Sequence, residues 1–345
     1  MTSAAAEYPH YVGIETINTC NARCPFCPLF QGSAQMSRTT RPAHIMDAQL
    51  FERITSQISK WDKLPQTIFL NMNGEPLQDP EFLERCRVLR RCGLGPLIQL
   101  QTNAHFLGAN EAEAILDADI GRLVIGFDGA SRAIYEYHRA RCSYDRVLDN
   151  IKAFVKLRRE RCKSTKIAIQ YVRTSRNAHE IAEAWRMFGG MLDAELDCLQ
   201  DDVSKDWGDS PGEEGLYILA KRSFPVEHAN CQLAIQQFII NSDGKVQACC
   251  WDYNLSVSEG GLGDATVQRL VDIWRSKKRR EILGRINADH VGARPEKCRT
   301  CVYSGAPAEL PQPEIDIPKH LVSSAPYGHT YRFAIKSPNS RATVS

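Results

Sequence analysis

The stretch Cys20-Asn21-Ala22-Arg23-Cys24-Pro25-Phe26-Cys27 is the most informative part of this chain, because it places three cysteines within eight residues. Thiolate sulfur is a soft ligand that suits iron–sulfur clusters and zinc. A structural zinc site needs four closed ligands, which one loop with three cysteines does not supply. Three thiolates can hold three corners of a [4Fe–4S] cube and leave the fourth iron open. The stretch therefore predicts an iron–sulfur site with one open coordination position.

Length, charge and the N-terminus limit the classes of protein to which the chain can belong. Its 345 residues are enough for one large domain and a small one, and its 43 basic and 41 acidic side chains leave a net charge of +2. Such a balance gives no strong field for nucleic acid or for an anionic membrane, and we expect neither partner. The N-terminus lacks the features of a secretory signal, and no apolar run approaches the ~18 residues of a membrane span. We therefore expect a cytoplasmic protein, in which clustered cysteines serve as metal or redox ligands.

Short apolar strands alternate with amphipathic helical segments from residue 8 to about residue 200. The predicted strands cover Tyr11–Ile17, Thr67–Met72, Leu97–Thr102, Arg122–Phe127 and Lys166–Val172. The predicted helices cover Asp47–Lys60, Glu81–Cys92, Ala109–Asp117, Ser131–His138 and Tyr144–Arg161. This alternation predicts an α/β domain with a parallel sheet, whose ligands bind at the carboxyl ends of the strands. The cysteine loop follows the first strand and would lie at that edge.

The pattern changes beyond residue 200, and the domain that we assign to residues 8–200 ends there. Residues 201–229 overlap an acidic stretch with few large apolar residues, and we interpret them as a linker. In a small domain at 230–305, two apolar segments flank an Asn-Ser-Asp-Gly turn and predict a hairpin, and a helix is predicted from about Val267 to Ile286. Residues 306–345 are rich in proline and serine, so we expect a loosely ordered tail.

The cysteine spacing, with aromatic Phe26 directly before the last cysteine, resembles that of the radical S-adenosylmethionine (SAM) superfamily. The turn Gly74-Glu75-Pro76 resembles the Gly-Gly-Glu-Pro motif of that family, with Asn73 in place of the first glycine. The resemblance implies a partial (β/α)6 barrel that binds SAM and one [4Fe–4S] cluster, the latter through Cys20, Cys24 and Cys27. In the family, SAM is cleaved reductively to a 5′-deoxyadenosyl radical, which removes a hydrogen atom from the substrate. The electron would come from a donor of the flavodoxin or ferredoxin type.

The resemblance also implies contacts with SAM, each of which has a plainer alternative. The Gly74-Glu75-Pro76 turn would contact the SAM amino group, although the tripeptide alone is often only a turn. Thr102 and Asn103 would lie near the ribose, or they merely end a strand. Gln170 could also face the ribose, or it faces solvent.

Arg139 is the residue that the resemblance assigns to the SAM carboxylate. A guanidinium matches a carboxylate with two parallel hydrogen bonds. Arg139 follows the stretch Gly126-Phe127-Asp128-Gly129, in which Gly126 stands where many relatives carry serine. Three other arginines lie close in sequence and compete for the same role, namely Arg132, Arg141 and Arg146.

A second set of cysteines lies in the C-terminal part of the chain and consists of Cys231, Cys249, Cys298 and Cys301. The set resembles the auxiliary-cluster domains called SPASM and, in shortened form, twitch, which implies a small α+β domain with a second [4Fe–4S] cluster. Structural zinc is the alternative that the spacing permits. The layout as a whole resembles the radical SAM dehydrogenase of 2-deoxystreptamine biosynthesis and its antibiotic-pathway relatives.

Cys250 follows the predicted ligand Cys249, so its side chain would face the opposite way if the segment is extended. A thiol near the substrate could donate a hydrogen atom to a carbon radical, as an epimerase requires. The alternative is a buried cysteine in a hairpin. The neighbouring Trp251 could shield the site, or it simply packs in the core. Asp252 could support the cluster or face the substrate, or it belongs to a turn.

These features predict an enzyme that abstracts hydrogen from a polar small molecule, such as a sugar, an aminocyclitol or a nucleoside of natural-product biosynthesis. Oxidation, epimerisation or rearrangement would follow. Because the first predicted strand begins about ten residues into the chain, we expect no N-terminal peptide-recognition domain. Two alternatives remain, a peptide-modifying maturase and a non-catalytic iron–sulfur or zinc protein.

Overall fold

The computed structural model of the chain describes residues 7–27, 30–31, 36–37, 40–203, 230–301, 317–325 and 328–333. Its strands are β1 Tyr11–Ile14, β2 Phe30–Gln31, β3 Met36–Ser37, β4 Thr67–Phe69, β5 Ile98–Thr102, β6 Arg122–Gly126, β7 Lys166–Arg173, β8 Cys198–Val203, β9 Gln237–Ile240, β10 Val246–Gln247, β11 Val322–Ala325 and β12 Gly328–Arg332. Its α-helices are α1 Ala48–Ile58, α2 Phe82–Arg91, α3 Ala109–Asp117, α4 Arg132–His138, α5 Tyr144–Glu160, α6 Ile181–Gly189, α7 Gln232–Gln236, α8 Leu270–Trp274, α9 Lys277–Ile286 and α10 Glu296–Thr300.

The centre of the fold is a run of parallel strands in the order β1-β4-β5-β6-β7-β8. Helices α1 to α6 lie between or beside these strands in the chain, as right-handed crossovers require. This arrangement confirms the predicted α/β fold with a partial (β/α)6 barrel. The strands and helices predicted up to Arg161 all occur, with ends that differ by a few residues.

Local sequence explains where these elements begin and which face they bury. Helix α1 begins after Asp47, whose carboxylate accepts hydrogen bonds from the backbone N–H groups of Gln49 and Leu50 at 2.8 and 3.1 Å. Its buried side chains recur at helical spacing, and Phe51 and Ile54 are almost fully buried. The helix therefore packs one apolar face against the sheet and leaves the other face to solvent.

The C-terminal half adds strands to both edges of the barrel sheet. Strand β9 pairs in parallel with β1, so that Val12 lies opposite Phe238, and β10 pairs antiparallel with β9. The predicted hairpin is thus confirmed. Because β9 continues the barrel sheet, the segment that follows β10 lies beside the loop after β1.

Two predictions about the C-terminal half are wrong. The segment from Val267 to Ile286 is two helices, because Ser276 interrupts it and accepts a hydrogen bond from the Arg279 N–H at 3.1 Å as the N-cap of α9. The segment 306–345 is not simply a loose tail, because β11 and β12 form a hairpin and β12 pairs antiparallel with β8. The residues of that segment alternate too weakly in hydrophobicity to mark an edge hairpin.

The remaining segments bear on the linker and on membrane association. Asp201–Val203, the first residues of the predicted linker, are the end of β8, and residues 204–229 lie outside the described residues. Within the described ranges, no helix combines the length and the hydrophobicity that a membrane span requires.

Candidate active site

A cavity of about 670 Å³ opens at the carboxyl ends of the barrel strands. It has the volume of a small-molecule site. Both halves of the chain line it, and the lining residues include Cys20, Cys24, Cys27, Gly74, Glu75, Arg139, Cys250 and Trp251. The cavity therefore brings together most of the residues predicted for the SAM site and the one thiol predicted to face the substrate.

The cysteine loop is a compact turn fixed by hydrogen bonds to its own backbone and to the segment after α4. The Cys27 N–H donates to the Cys24 carbonyl at 3.0 Å, and the Arg23 N–H donates to the Ala140 carbonyl at 2.9 Å. The Arg23 side chain closes the turn by donating to the Cys20 carbonyl at 2.7 Å. All three cysteines line the cavity.

Burial dominates the chemistry of these thiols before a cluster is bound. It raises the pKa of Cys24 to about 12, and it raises the pKa of Cys20 as well, with the nearby Glu75 carboxylate adding to the effect. Cluster assembly must therefore release protons from this loop. Among the described residues, no three His, Cys, Asp or Glu side chains converge on a point that a single metal ion could occupy. A [4Fe–4S] cluster does not require such convergence, because each thiolate binds its own iron at a separate corner.

The Gly74-Glu75-Pro76 turn packs directly against the cysteine loop. A Cβ atom at Gly74 would lie 2.2 Å from the Ile17 carbonyl oxygen, so only glycine allows this approach. The Glu75 N–H donates to the Thr19 carbonyl at 2.9 Å. The turn and the cysteine loop thus hold each other in place at the cavity wall.

The carboxylate of Glu75 is buried and bound by the protein itself. It accepts hydrogen bonds from Thr102 Oγ1 at 2.6 Å, from the Asn103 N–H at 2.8 Å and from the Leu77 N–H at 3.0 Å. Burial raises its pKa, and these three hydrogen bonds oppose the rise. Glu75 therefore connects the end of β5 to the turn after β4.

Asn103 faces the cysteine loop through its amide group. Its Nδ2 donates to Asn21 Oδ1 at 2.9 Å and lies 3.8 Å from Cys20 Sγ, while its Oδ1 accepts from the His105 N–H at 2.9 Å. Asn21 in turn donates to the buried thiol of Cys142 at 3.5 Å. The cysteine loop is thereby linked to the end of β5 through side chains.

Gln170 also lines the cavity, on β7, and its Oε1 accepts a hydrogen bond from Gln101 Nε2 on β5. Strand β6 lies between β5 and β7, and its residue opposite Gln170 is Gly126. A glycine has no side chain that would separate the two amides. The two amides therefore span three strands across the wall of the barrel.

The four cysteines of the second set lie in the C-terminal domain, outside the cavity. Cys231 is the N-cap of α7, Cys249 follows β10, and Cys298 and Cys301 lie within and just after α10. Cys231, Cys249 and Cys298 are buried, and burial raises the pKa of each, to about 12 for Cys298. The neighbouring thiols of Cys231 and Cys301 add to the rise in the pKa of both Cys249 and Cys298. This donor set fits a four-thiolate cluster site.

Cys250 lines the cavity, whereas Cys249 is buried away from it beside Cys231 and Cys301. The Cys250 N–H donates to Gln237 Oε1 at 3.3 Å, and Gln237 lines the cavity as well. The two adjacent cysteines thus belong to different sites, because Cys249 lies with the second set and Cys250 lines the cavity.

Several polar lining residues were not predicted, among them Asn71, Gln101, Gln237 and Asp202. A signal was present for Gln101, because it occupies a central parallel strand in which alternate residues, Ile98, Leu100 and Thr102, are buried. Central parallel strands are ordinarily apolar on both faces. A glutamine at an alternate position therefore indicates a face turned to a cavity.

The donor set and the walls of the cavity fit the cofactors that the cysteine pattern implies. Three cysteines line the cavity, and the Gly74-Glu75-Pro76 turn packs through its glycine against the backbone that leads into them. The remaining volume is bounded by amide, carboxylate and guanidinium groups that suit a polar ligand.

Sequence models of two families match the chain. The model of the radical SAM superfamily matches residues 14–182, and that of the SPASM iron–sulfur cluster-binding domain matches residues 231–302. No curated protein sequence matches the chain.

Solved structures with a similar fold include three proteins of low sequence identity. BtrN in complex with AdoMet and 2-DOIA has a TM-score of 0.54 at 16% identity, with coverage of 85% of this chain and 93% of BtrN. SuiB of Streptococcus suis bound to its precursor peptide SuiA has a TM-score of 0.63 at 14% identity, with coverage of 86% and 71%. The native form of anSMEcpe with bound AdoMet has a TM-score of 0.56 at 14% identity, with coverage of 81% and 83%. At these identities the similarity concerns the fold.

Proposed function

Because this chain belongs to the radical SAM superfamily and has a SPASM domain after its core, we propose that it abstracts a hydrogen atom from a polar small molecule. The radical SAM domain binds SAM and a [4Fe–4S] cluster, and the SPASM domain holds auxiliary iron–sulfur. Bound together, SAM and the first cluster supply a 5′-deoxyadenosyl radical. The chain positions the substrate against this radical and keeps water away.

The observation that carries the proposal is the shared cavity. The three cysteines of the first set and Cys250 line the same cavity, although they lie more than two hundred residues apart. Its walls bear amide groups from both domains, including Gln101, Gln170 and Gln237. Amides donate and accept hydrogen bonds, as a sugar, an aminocyclitol or a nucleoside requires. We therefore infer that such a molecule lies between the first cluster and the SPASM domain.

In this proposal Cys20, Cys24 and Cys27 bind the first cluster, and Phe26 packs beside it. The Gly74-Glu75-Pro76 turn, Thr102, Asn103 and Gln170 form the wall that holds SAM. Glu75 acts mainly by fixing the turn, because its carboxylate already accepts hydrogen bonds from Leu77, Thr102 and Asn103. The backbone of the turn then remains to meet the SAM amino group.

In the SPASM domain, Cys231, Cys249, Cys298 and Cys301 hold a [4Fe–4S] cluster in this proposal. Oxidation or epimerisation of a hydroxyl-bearing carbon is the outcome that we favour. An electron donor of the flavodoxin or ferredoxin type would reduce the clusters.

A peptide substrate is the second candidate. SuiB, which has a similar fold, was solved bound to the precursor peptide SuiA, whereas BtrN was solved bound to 2-DOIA. The limited volume of the cavity, about 670 Å³, favours a compact polar substrate over an extended chain.

The proposal is tested by anaerobic reconstitution, reduction and assay for 5′-deoxyadenosine. Wild-type protein with SAM should form it, and Cys24→Ala should not, since three thiolates are the minimum for a cube with one open iron. Undiminished 5′-deoxyadenosine from Cys24→Ala would overturn the site assignment. Substrate class is then tested by whether aminocyclitols, sugars and nucleosides or short peptides increase 5′-deoxyadenosine formation.

A further inference from the structure

The guanidinium of Arg139 is built into the wall of the cysteine loop. Its Nε donates to Asp128 Oδ2, its Nη1 lies 3.8 Å from Cys24 Sγ, and its Cζ lies 5.5 Å from the centre of the Phe26 ring. Only 13% of the side chain is exposed, and Asp128 is fully buried. The positive charge is therefore held against a thiol that faces the cavity.

Gly126 provides the space that this position requires. A Cβ atom at Gly126 would lie 2.1 Å from Arg139 Nη2 and 2.5 Å from its Cζ. Any side chain at this position would displace the guanidinium. Gly126 and Arg139 thus form a matched pair.

Asp128 fixes the direction in which the guanidinium points. Its Oδ1 accepts the Val172 N–H at 2.6 Å, while its Oδ2 accepts from Arg139. Both carboxylate oxygens are therefore engaged, and the Nη1 group is directed towards Cys24.

We propose that Arg139, seated by Gly126 and Asp128, donates a hydrogen bond to the Cys24 sulfur and raises the reduction potential of the cluster on the first cysteine set. Reduction places one additional negative charge on the cluster. A buried guanidinium beside a ligand sulfur stabilises that charge, and hydrogen bonds to sulfur and local charge both set cluster potentials. Arg139 is a positioning and tuning residue in this role. The inference rests on the proposed function only in that a cluster binds to Cys20, Cys24 and Cys27.

The decisive experiment is a redox titration of reconstituted full-length protein without SAM, followed by electron paramagnetic resonance. The signal that disappears when Cys20, Cys24 and Cys27 are replaced by alanine identifies the first cluster. Three variants are compared. The first is a double variant that combines Arg139→Gln with Asp128→Asn, and the other two are the single variants Gly126→Ala and Arg139→Lys. The control is Arg132→Gln, because Arg132 begins α4, the helix that Arg139 directly follows, but its side chain is 53% exposed.

We expect a more negative midpoint potential in the double variant and in Gly126→Ala, a smaller shift in Arg139→Lys, and none in Arg132→Gln. If the double variant cannot retain its cluster, Gly126→Ala decides, since it keeps every charge and only displaces the guanidinium. Unchanged potentials together with weaker SAM binding would overturn the inference and assign Arg139 to the SAM carboxylate. A shift in the double variant alone would overturn the role of Gly126. Failure of the proposed function is recognised separately, as wild-type protein that forms no 5′-deoxyadenosine.

Discussion

Asn73 Nδ2 donates a hydrogen bond of 2.8 Å to Glu15 Oε2, and this contact attaches the turn after β4 to the end of β1. Glu15 is fully buried and also accepts two hydrogen bonds from Arg41, at 2.8 and 2.7 Å. Ser242 of the C-terminal hairpin donates to the same carboxylate through its N–H and its hydroxyl, both at 3.1 Å. One carboxylate therefore connects the barrel, the turn that contains Gly74-Glu75-Pro76 and the SPASM domain. Asparagine at position 73 makes a side-chain contact that a glycine there could not make.

Removal of the Glu15 carboxylate should destabilise the protein strongly. Glu15→Ala leaves the guanidinium of Arg41 without its buried partner, and we expect a loss of about 3–5 kcal/mol in the free energy of unfolding. Urea denaturation followed by circular dichroism measures it. Glu84→Ala is the matched control, because the pairs of Glu84 with Arg87 and Arg91 are exposed and screened by solvent, so their loss should leave the denaturation midpoint almost unchanged. Equal denaturation midpoints for the two variants would contradict the role of Glu15.

Replacement of Gly74 by alanine should weaken SAM binding while the protein still folds. The added methyl group would overlap the Ile17 carbonyl, so the turn must move away from the cysteine loop. A displacement of this kind costs roughly 10- to 100-fold in a site that depends on position. Equilibrium dialysis with SAM on cluster-loaded protein measures the change.

Gly284→Ala is the control for that experiment. A Cβ atom at Gly284 meets nothing within 4 Å, and the residue lies within α9. The substitution should leave SAM binding unchanged and stabilise the helix by about 0.5–1 kcal/mol. Similar SAM affinities for the two alanine variants would show that the turn is not a SAM contact.

Iron content separates the two cluster sites. Anaerobically reconstituted protein should hold about eight irons, the sum of two four-iron clusters. Simultaneous replacement of Cys20, Cys24 and Cys27 by alanine should leave about four, bound by the second cysteine set. Elemental analysis by mass spectrometry gives both values. Zinc without iron in the triple variant would exclude a redox role for the SPASM domain.

The fold and most candidate cofactor residues could be predicted because their signals are local. Three cysteines in one turn and a Gly-Glu-Pro turn after a strand carry their meaning within a few residues. The topology then places both at the carboxyl ends of adjacent strands, since β1 pairs with β4.

Other features depend on contacts that are distant in sequence. Nothing near Glu15 indicates that Ser242 will donate to it, because that contact exists only once β9 pairs with β1. The relation between Gly126 and Arg139 is similar, since a glycine at the end of a strand gives no indication of the side chain that fills its space. The edge hairpin of β11 and β12 was missed because its pairing with β8 outweighs its polar composition.

The role of Cys250 distinguishes the two favoured outcomes for a substrate radical. A carbon radical next to oxygen can lose a proton and an electron and become a ketone. The auxiliary cluster is then the natural electron acceptor, and no thiol is needed. Alternatively, a thiol hydrogen atom quenches the radical from the opposite face and gives the epimer, with a thiyl radical left to be reduced. Cys250 lines the cavity and lies next to Cys249, so it is the thiol to test.

Cys250→Ala should therefore separate an epimerase from a dehydrogenase once a substrate is identified. An epimerase variant should still form 5′-deoxyadenosine and consume substrate, yet fail to release the inverted product. A dehydrogenase variant should keep its turnover within a few fold, because only packing has changed. Product analysis in deuterated water by chiral chromatography and mass spectrometry distinguishes the outcomes, and the exposed Cys162→Ala serves as the control. Full retention of an inverting activity in Cys250→Ala would exclude this thiol as the hydrogen donor. The thiol would be assigned as the donor if the wild-type enzyme places solvent deuterium at the inverted carbon and the Cys250→Ala variant does not.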